Sequence, residues 1–282
     1  MVHGPGLADA SNHTNAVRPV IEPIDVPHPA LPPGLEGLRV LHLADTHTRR
    51  RNPWTPAVQR LLDELEALKE SVDLAVLTGD FADAPSDQAA GSEVTKALIE
   101  RTVTRLGVFG VFGNHDGPTL RRDLRTVPGC RWLEAGDARL FVGPTPLRII
   151  GVSDPEDMLD AALRVDAANG TDFTIGLSHY PTQVYPAARL GVHLMFCGHT
   201  HGGQIRVGPT RVPHSSSDLA GDVGTGCLRL AGTLCCISRG IGEAVVPIRV
   251  NCPPQVPLYT LRRGPFEGGD PPAPVLRQVI PW

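Results

Sequence analysis

The feature of this sequence that most restricts its fold is an arrangement found five times: a short apolar run ends at polar side chains that can bind a metal ion, usually beside glycine. The polar ends are Asp45-Thr46-His47, Gly79-Asp80, Gly113-Asn114-His115, Ser178-His179 and Gly198-His199-Thr200-His201. Helical patterns separate the runs, which is typical of an α/β protein. In an open α/β sheet, ligands bind beyond the carboxyl ends of the strands. We therefore expect five segments that are distant in sequence to meet at one crevice.

The apolar runs predict five buried strands, and the segments between them predict helices. The strands are LRVLHLAD (38–45), LAVLTGD (74–80), VFGVFGNHD (108–116), TIGLSHY (174–180) and HLMFCGHTH (193–201). One helix is predicted to begin after the N-cap signal Thr55-Pro56. Three more are predicted at 86–106, near 155–165 and at 184–190. Proline in 20–27 indicates an edge strand there, and short strands are expected after residue 203 at QIRV, LCCIS, VPIRV and PLYTL.

Composition sets the domain boundaries and restricts the partners. We expect a disordered segment at 1–19, one domain at 20–262 and a Pro/Gly-rich tail at 263–282. The net charge of −4 gives no indication of nucleic-acid binding. No apolar run approaches the roughly 18 residues that cross a bilayer, and the N-terminus has no signal-peptide pattern. We therefore expect a cytoplasmic protein or, alternatively, one that is peripheral at the inner face of the membrane. The sequence does not indicate an oligomeric state.

The six cysteines are predicted to be free thiols. None of them forms a C-x-x-C pair, and a chain of 282 residues can bury a core without disulfides. Cys197 and the pair Cys235-Cys236 lie in apolar strands, which favours a packing role.

The motif CGHTHGGQ places two imidazoles two residues apart. In an extended backbone, residues i and i+2 point to the same side, so His199 and His201 can face one site together. Asp45 and His47 have the same spacing. The neighbouring glycines allow the backbone to approach a metal ion closely and to turn sharply.

The candidate ligands suit two metal ions better than one. They are histidines, two carboxylates and one amide, a mixed N/O set that favours Mn, Fe or Zn and argues against a structural zinc site of the cysteine type. Paired ions promote in-line displacement at phosphorus. Two divalent ions, Asp45, Asp80 and a bridging hydroxide together leave one net positive charge, which attracts a phosphate anion. Asn114 would bind metal without cancelling this charge.

The motifs resemble those of the calcineurin-like metallophosphoesterase superfamily. Its pattern of D-x-H, G-D-x-x-D, G-N-H-D/E, a single H and G-H-x-H is similar to DTH (45–47), GDFAD (79–83), GNHD (113–116), SHYP (178–181) and GHTH (198–201). The longer ending GHTHGGQIRV, with SRGIGEAVVPIRVNCPP (238–254), resembles a bacterial subgroup often described as membrane-associated phosphohydrolases. The resemblance implies a four-layer α/β/β/α sandwich of two mixed sheets.

The resemblance also implies a role for each site residue. Asp45, His47 and His201 would bind one metal ion, Asn114, His179 and His199 the other, and Asp80 would bridge the two. His115 would lie near the leaving-group oxygen as a general acid. Asp83 would orient His115, with Asp116 as a second candidate for that role.

The implied activity is hydrolysis of phosphodiester or phosphomonoester bonds by a metal-bridging hydroxide. The sequence leaves open a pyrophosphatase acting on a nucleotide-lipid such as a UDP-acylglucosamine, and a metal-free scaffold on the same fold. Arg49, Arg50 and Arg51 replace the glycine that usually follows D-x-H. They are candidates for contact with a substrate phosphate or, weakly, with an anionic membrane surface, or they form a solvated basic loop.

Overall fold

The computed structural model describes residues 20–68, 71–155, 158, 172–207, 217, 219, 224–266 and 276–281. The predicted disordered segment 1–19 and most of the helix predicted near 155–165 lie outside the described residues.

The described chain forms two mixed β-sheets. The strands are β1 (Ile21–His28), β2 (Arg39–Leu43), β3 (Leu74–Thr78), β4 (Val108–Val111), β5 (Cys130–Trp132), β6 (Gly136–Val142), β7 (Thr145–Val152), β8 (Phe173–Ser178), β9 (Leu194–Cys197), β10 (Gly226–Leu230), β11 (Thr233–Ile237), β12 (Val256–Arg263) and β13 (Arg277–Ile280). The first sheet has the order β1-β12-β2-β3-β4-β5, and the second has the order β13-β10-β11-β9-β8-β7-β6. The predicted edge strand at 20–27 is confirmed as β1.

Parallel pairing brings the polar strand ends to one edge of each sheet. In the first sheet, β2, β3 and β4 run parallel, and in the second sheet β8 and β9 run parallel. These are the five strands that the sequence pattern predicted. Their carboxyl ends carry the metal-capable residues, so the topology gathers those residues as expected.

Helices cover the outer faces of both sheets. They are α1 (Pro56–Ala67), α2 (Gln88–Arg101), α3 (Pro118–Arg125) and α4 (Val184–Arg189). The N-cap signal is confirmed, since the Thr55 hydroxyl accepts a hydrogen bond from the Val58 amide at 3.3 Å. The first sheet packs its outer face against α1, α2 and α3, and the second packs against α4.

A third apolar layer lies between the sheets. It joins side chains such as Val40 and Val76 from the first sheet to Ile175 and Phe196 from the second. Because β2 and β3 are covered on both faces, almost all of their residues are buried, and apolar side chains predominate in both strands instead of alternating with exposed polar ones. The four-layer α/β/β/α sandwich is therefore confirmed.

The prediction of two of the short strands after residue 203 was wrong. QIRV and VPIRV meet only in an isolated bridge between Ile205 and Val250. The Gln204 side chain takes over much of the pairing, since its amide donates to the Val246 carbonyl at 2.8 Å and accepts from the Ala244 amide at 2.8 Å. Pro247 has no amide hydrogen with which to extend a ladder.

The tail and the cysteines also differ from the expectation. The segment predicted as a Pro/Gly-rich tail contributes β13, which pairs antiparallel with β10. Cys227 and Cys236 form a disulfide, so the prediction that all cysteines are free was wrong. These two residues face each other across the antiparallel pair of β10 and β11, a register that the cysteine spacing does not reveal. Cys197 and Cys235 are free and buried, as predicted.

Candidate metal centre

The five strand ends meet at one buried site between the two sheets. In the part of the chain that the structure describes, potential ligand atoms of histidines and carboxylates form three groups there, and the atoms within each group lie within 4.8 Å of one another. The groups are Asp45 with His47 and His201, Asp80 with His179 and His199, and His47 with Asp83 and His115. The first two groups match the histidines and carboxylates of the two ligand sets implied by the sequence.

Backbone strain is concentrated at these residues. Asp45, His47, Asp80, His199 and His201 all have positive φ angles, of 51°, 38°, 57°, 72° and 51°. Residues other than glycine rarely adopt this conformation, and it persists where the surrounding structure imposes it, often at functional sites. The prediction that these pairs lie on extended backbone was therefore wrong. The histidines converge because the chain turns sharply, and His199 and His201 enter different ligand groups.

Asp80 connects the two ligand groups. Its Oδ2 atom lies 3.3 Å from His47 Nε2 in the first group and 3.1 Å from His179 Nε2 in its own. Its Oδ1 atom accepts a hydrogen bond from the His115 amide at 2.9 Å. One carboxylate oxygen thus faces histidines of both groups, which is the position that a bridging ligand requires.

Hydrogen bonds at Nδ1 fix the orientation of the His179 and His47 rings. His179 Nδ1 donates to the Thr78 carbonyl oxygen at 2.8 Å, and His47 Nδ1 lies 3.2 Å from Asp83 Oδ1. A carbonyl or carboxylate only accepts, so each Nδ1 carries the hydrogen and each Nε2 faces the centre of the site. Ligating histidines in metalloproteins are held in this way.

The electrostatic field of the site favours positive charge. Burial alone would lower the pKa of His47, but hydrogen bonds to Asp80 and Asp83 and the charges of Asp80 and Asp45 outweigh burial and raise it to about 10. Burial likewise opposes the charged form of His179, yet Asp80 and Asp45 raise its pKa to about 9. A pocket that attracts protons this strongly suits divalent cations.

Asp45 has a buried carboxylate oxygen that a metal ion would satisfy. The side chain is fully buried, and its Oδ1 atom accepts from the His199 amide at 2.9 Å. Oδ2 has no hydrogen-bond partner among the described residues, and burial raises the pKa of the carboxyl to about 6. An unpartnered buried carboxylate oxygen is costly, and a cation would compensate it. Glycine is needed beside it, because a Cβ on Gly198 would lie 2.3 Å from Oδ2. The residues fit a metal ion.

Asn114 and His115 lie at the edge of the buried groups. Asn114 is exposed and lines a cleft of about 470 Å³ together with His115 and Asp83. His115 Nδ1 lies 2.6 Å from the Asp83 backbone carbonyl. The structure thus places Asn114 beside two residues of the third group, Asp83 and His115.

The contact between Asp83 and His115 differs from the one expected. Asp83 holds His115 through its backbone carbonyl, whereas its carboxylate contacts His47 and the guanidinium of Arg49, at 2.8 Å from Nε. Burial opposes ionisation of this carboxylate, but its partners His47 and Arg49 lower its pKa to about 2. The Asp83 side chain therefore orients His47.

Asp116 has a structural role that the sequence did not reveal. Its buried carboxylate accepts hydrogen bonds from the amides of Asp80, Phe81 and Gly113 at 2.7–2.8 Å. These contacts clamp the loop after β3 to the loop after β4. The GNHD motif marks the position, but nothing in its spacing shows that the last residue turns back towards the backbone.

A second cleft, of about 430 Å³, opens beside His47. Its lining includes Thr46, His47, Arg49 and Arg51. The rings of His47 and His115 lie 4.7 Å apart between centroids, so the two clefts meet at this pair. Two neighbouring clefts therefore border the site, one lined by His115 and the other by His47.

A comparison with known protein families decides the family. The family described as calcineurin-like phosphoesterase matches residues 38–203, more than half of the chain. The chain belongs to the calcineurin-like phosphoesterase family. It is a metal-dependent phosphoesterase, and the family normally binds two metal ions.

Relatives of this phosphoesterase have matching names. The phosphodiesterase YaeI of Escherichia coli is 29% identical over 236 residues, covering 79% of this chain and 82% of the relative. The metallophosphoesterase YkuE of Bacillus subtilis is 26% identical over 245 residues, covering 82% of each chain. Among solved structures, TT1561 of Thermus thermophilus is similar at 12% identity with a TM-score of 0.48, covering 72% of this chain and 90% of the other.

The phosphoesterase was expected to lack a membrane-spanning segment. Across the described residues, the structure contains no helix with the length and apolar character needed to cross a bilayer.

Proposed function

We propose that this phosphoesterase is a phosphodiesterase that holds two metal ions at the centre between the sheets. Asp45, His47 and His201 bind one ion, His179, His199 and Asn114 bind the other, and Asp80 bridges them. The observation that carries the proposal is the position of Asp80 Oδ2, which lies within 3.3 Å of histidines from both groups. The mixed N/O ligand set favours Mn, Fe or Zn.

The protein residues contribute orientation and a proton. When bound, the two ions would polarise the phosphoryl oxygens and lower the pKa of water so that it attacks phosphorus near neutral pH. His115 donates from Nδ1 to the Asp83 carbonyl, so Nε2 is the atom that exchanges a proton. A departing alkoxide needs a proton, and an imidazole suits that task near neutral pH. His115 is thus the general acid.

The two clefts favour a diester over a monoester. A phosphate bound between His47 and His115 borders both clefts, so each cleft can take one of its two substituents. The leaving group occupies the cleft beside His115, and the retained group occupies the cleft beside His47. The E. coli relative is named a phosphodiesterase, in agreement with this assignment.

The longer CGHTHGGQIRV ending and the segment 238–254 support membership of the bacterial subgroup that they resemble. Hydrolysis of a pyrophosphate bond in a nucleotide-lipid is the alternative within that assignment, since the reacting phosphate would be held in the same way.

A hydrolysis screen tests the proposal. Chelator-treated protein is reloaded with Mn²⁺ and assayed on nitrophenyl phosphate, bis(nitrophenyl) phosphate and a UDP-acylglucosamine. We expect the highest kcat/KM on the diester and no turnover without added metal. A preference for the monoester would contradict the phosphodiesterase assignment, and a preference for the nucleotide-lipid would favour the alternative.

A further inference from the structure

The cleft beside His47 has a charged wall that the metal centre does not use. Arg49 and Arg51 both line it, but they are not equivalent. The Arg49 guanidinium is neutralised by Asp83, 2.8 Å away, and also donates to the Glu243 carbonyl at 3.1 Å. Arg51 is exposed and forms no ion pair with the described residues, so its charge is available to a ligand.

Neutral donors lie on the same wall. Asn52 and Thr55 line the cleft and can donate hydrogen bonds from an amide and a hydroxyl. The first residues of α1, Pro56 and Ala57, line it as well, and the positive end of the helix dipole adds to the potential there. A group bound against this wall is therefore favoured if it carries negative charge.

Glu243 brings a negative charge to the same cleft. It lies on the other loop that lines the cleft, with Gly242 and Pro247, and its carboxylate disfavours a nearby anion. Arg51 and Glu243 thus act in opposite directions on the same bound group. This opposition allows a test in which two substitutions shift specificity with opposite signs.

We propose that this cleft binds a second anionic group of the substrate, a carboxylate or a further phosphate, carried by the substituent that stays attached to phosphorus. Arg51 determines specificity for that group. The inference rests on the proposed function, because the retained substituent is placed beside His47 by the assignment of His115 to the leaving group. The substrate class is a phosphodiester whose retained half is itself an anion.

Two simple diesters that differ only in the retained group test the inference. They are nitrophenyl propyl phosphate and nitrophenyl 2-carboxyethyl phosphate, which both release nitrophenolate. The metal-loaded wild type should favour the carboxyethyl ester. Arg51→Gln should lower kcat/KM on that ester by about two- to fivefold, the range for an exposed charge pair, with little change on the propyl ester. Glu243→Gln should raise it by a similar factor, and salt should weaken both effects.

Arg50→Gln is the matched control. Arg50 is adjacent and exposed but lies outside the set of described residues that line the cleft, so neither ester should change. Equal effects of Arg51→Gln on both esters, or an effect of Arg50→Gln as large as that of Arg51→Gln, would overturn the inference. If the wild type hydrolysed the two esters equally well, the proposed function would stand and the anion site would not. If it hydrolysed neither, the proposed function itself would fail.

Discussion

At the scale of single residues, His115 is held in a way that separates its two ring nitrogens. Nδ1 is committed to the Asp83 carbonyl, and the His115 amide donates to Asp80, so both backbone and ring are positioned from the loop after β3. The ring can therefore be replaced without removing any of the buried ligand groups that contain Asp45 or Asp80.

The substitution His115→Asn should affect substrates according to their leaving group. Removing a general acid typically costs about 10²–10⁴-fold, but nitrophenolate leaves without a proton whereas an alkoxide does not. We expect both metal ions to be retained, little loss on a nitrophenyl ester and a large loss on an alkyl ester. The measurement is kcat/KM for the two esters, with metal content determined alongside. Equal losses on both would leave His115 as a phosphate-binding or structural residue.

The Asp80→Asn variant tests the bridging position. An amide can still accept from the His115 amide, so the fold should survive, but the lost negative charge removes the attraction for two cations. We expect metal occupancy and nearly all activity to be lost while the circular dichroism spectrum is unchanged. Asp25→Asn, an exposed aspartate paired with Arg262, is the control and should behave as wild type. Two bound ions and full activity in Asp80→Asn would rule out the bridge.

At the scale of elements, the turn that follows β9 has no room for a side chain at position 198. Gly198 lies against Asp45, whereas a Cβ on Gly136 in β6 would meet no atom within 4 Å. Neither glycine has a positive φ angle, so alanine tests space alone at both sites.

Alanine at position 198 should therefore displace Asp45 and weaken metal binding. Disturbing the groups that orient ligands typically costs roughly 10–100-fold in metal affinity, and we expect a loss in this range for Gly198→Ala. Gly136→Ala should bind metal as the wild type does. Competition with a chelator of known affinity measures both. Equal affinities in the two variants would show that Asp45 does not need this space.

The strand ends could be predicted from the sequence because they are local signals. An apolar run that stops at DTH, GNHD or GHTH indicates both a buried strand and a polar end. The strands β5, β6 and β7 were missed, since none of them ends in such a motif, β5 has only three residues and β6 exposes part of one face. The disulfide was missed because it depends on the register between β10 and β11, which only the assembled sheet defines.

Within the site, residue identity could be predicted but conformation could not. Each candidate ligand was named from the sequence, yet the positive φ angles at Asp45 and His201 belong to the turns after β2 and β9, whose conformation residue identity does not specify. The same limit applies to Asp83, whose motif position suggested a contact with His115 but not that the backbone carbonyl makes it. Contacts through backbone atoms leave no trace in side-chain identity.

At the scale of the whole molecule, His42 links the packing of the two sheets to pH. It projects from β2 into the layer between the sheets, 5.5 Å from the Phe196 ring and 2.8 Å from the Thr78 hydroxyl. Burial lowers its pKa to about 3, below the value of about 6.5 in an unfolded chain. The unfolded state therefore takes up a proton first as the pH falls, which favours unfolding.

The free energy of unfolding should reflect this difference. The contribution of His42 is fully present above pH 6.5 and is lost as the pH falls towards 3, at up to about 1.4 kcal/mol per pH unit. His42→Gln does not titrate, so its stability should fall less steeply with acid over this range. Urea unfolding of metal-free protein between pH 7 and pH 4 measures the two slopes. Parallel slopes would show that His42 does not contribute to the acid sensitivity.

The central claim is that the buried centre between the sheets binds two metal ions and that hydrolysis depends on them. The most direct measurement is a titration of chelator-treated protein with Mn²⁺, in which bound metal per chain and hydrolysis of bis(nitrophenyl) phosphate are followed together. The structure predicts no hydrolysis in the stripped protein and a rise in activity that is complete when two ions are bound. Full activity in the metal-free protein would contradict the account.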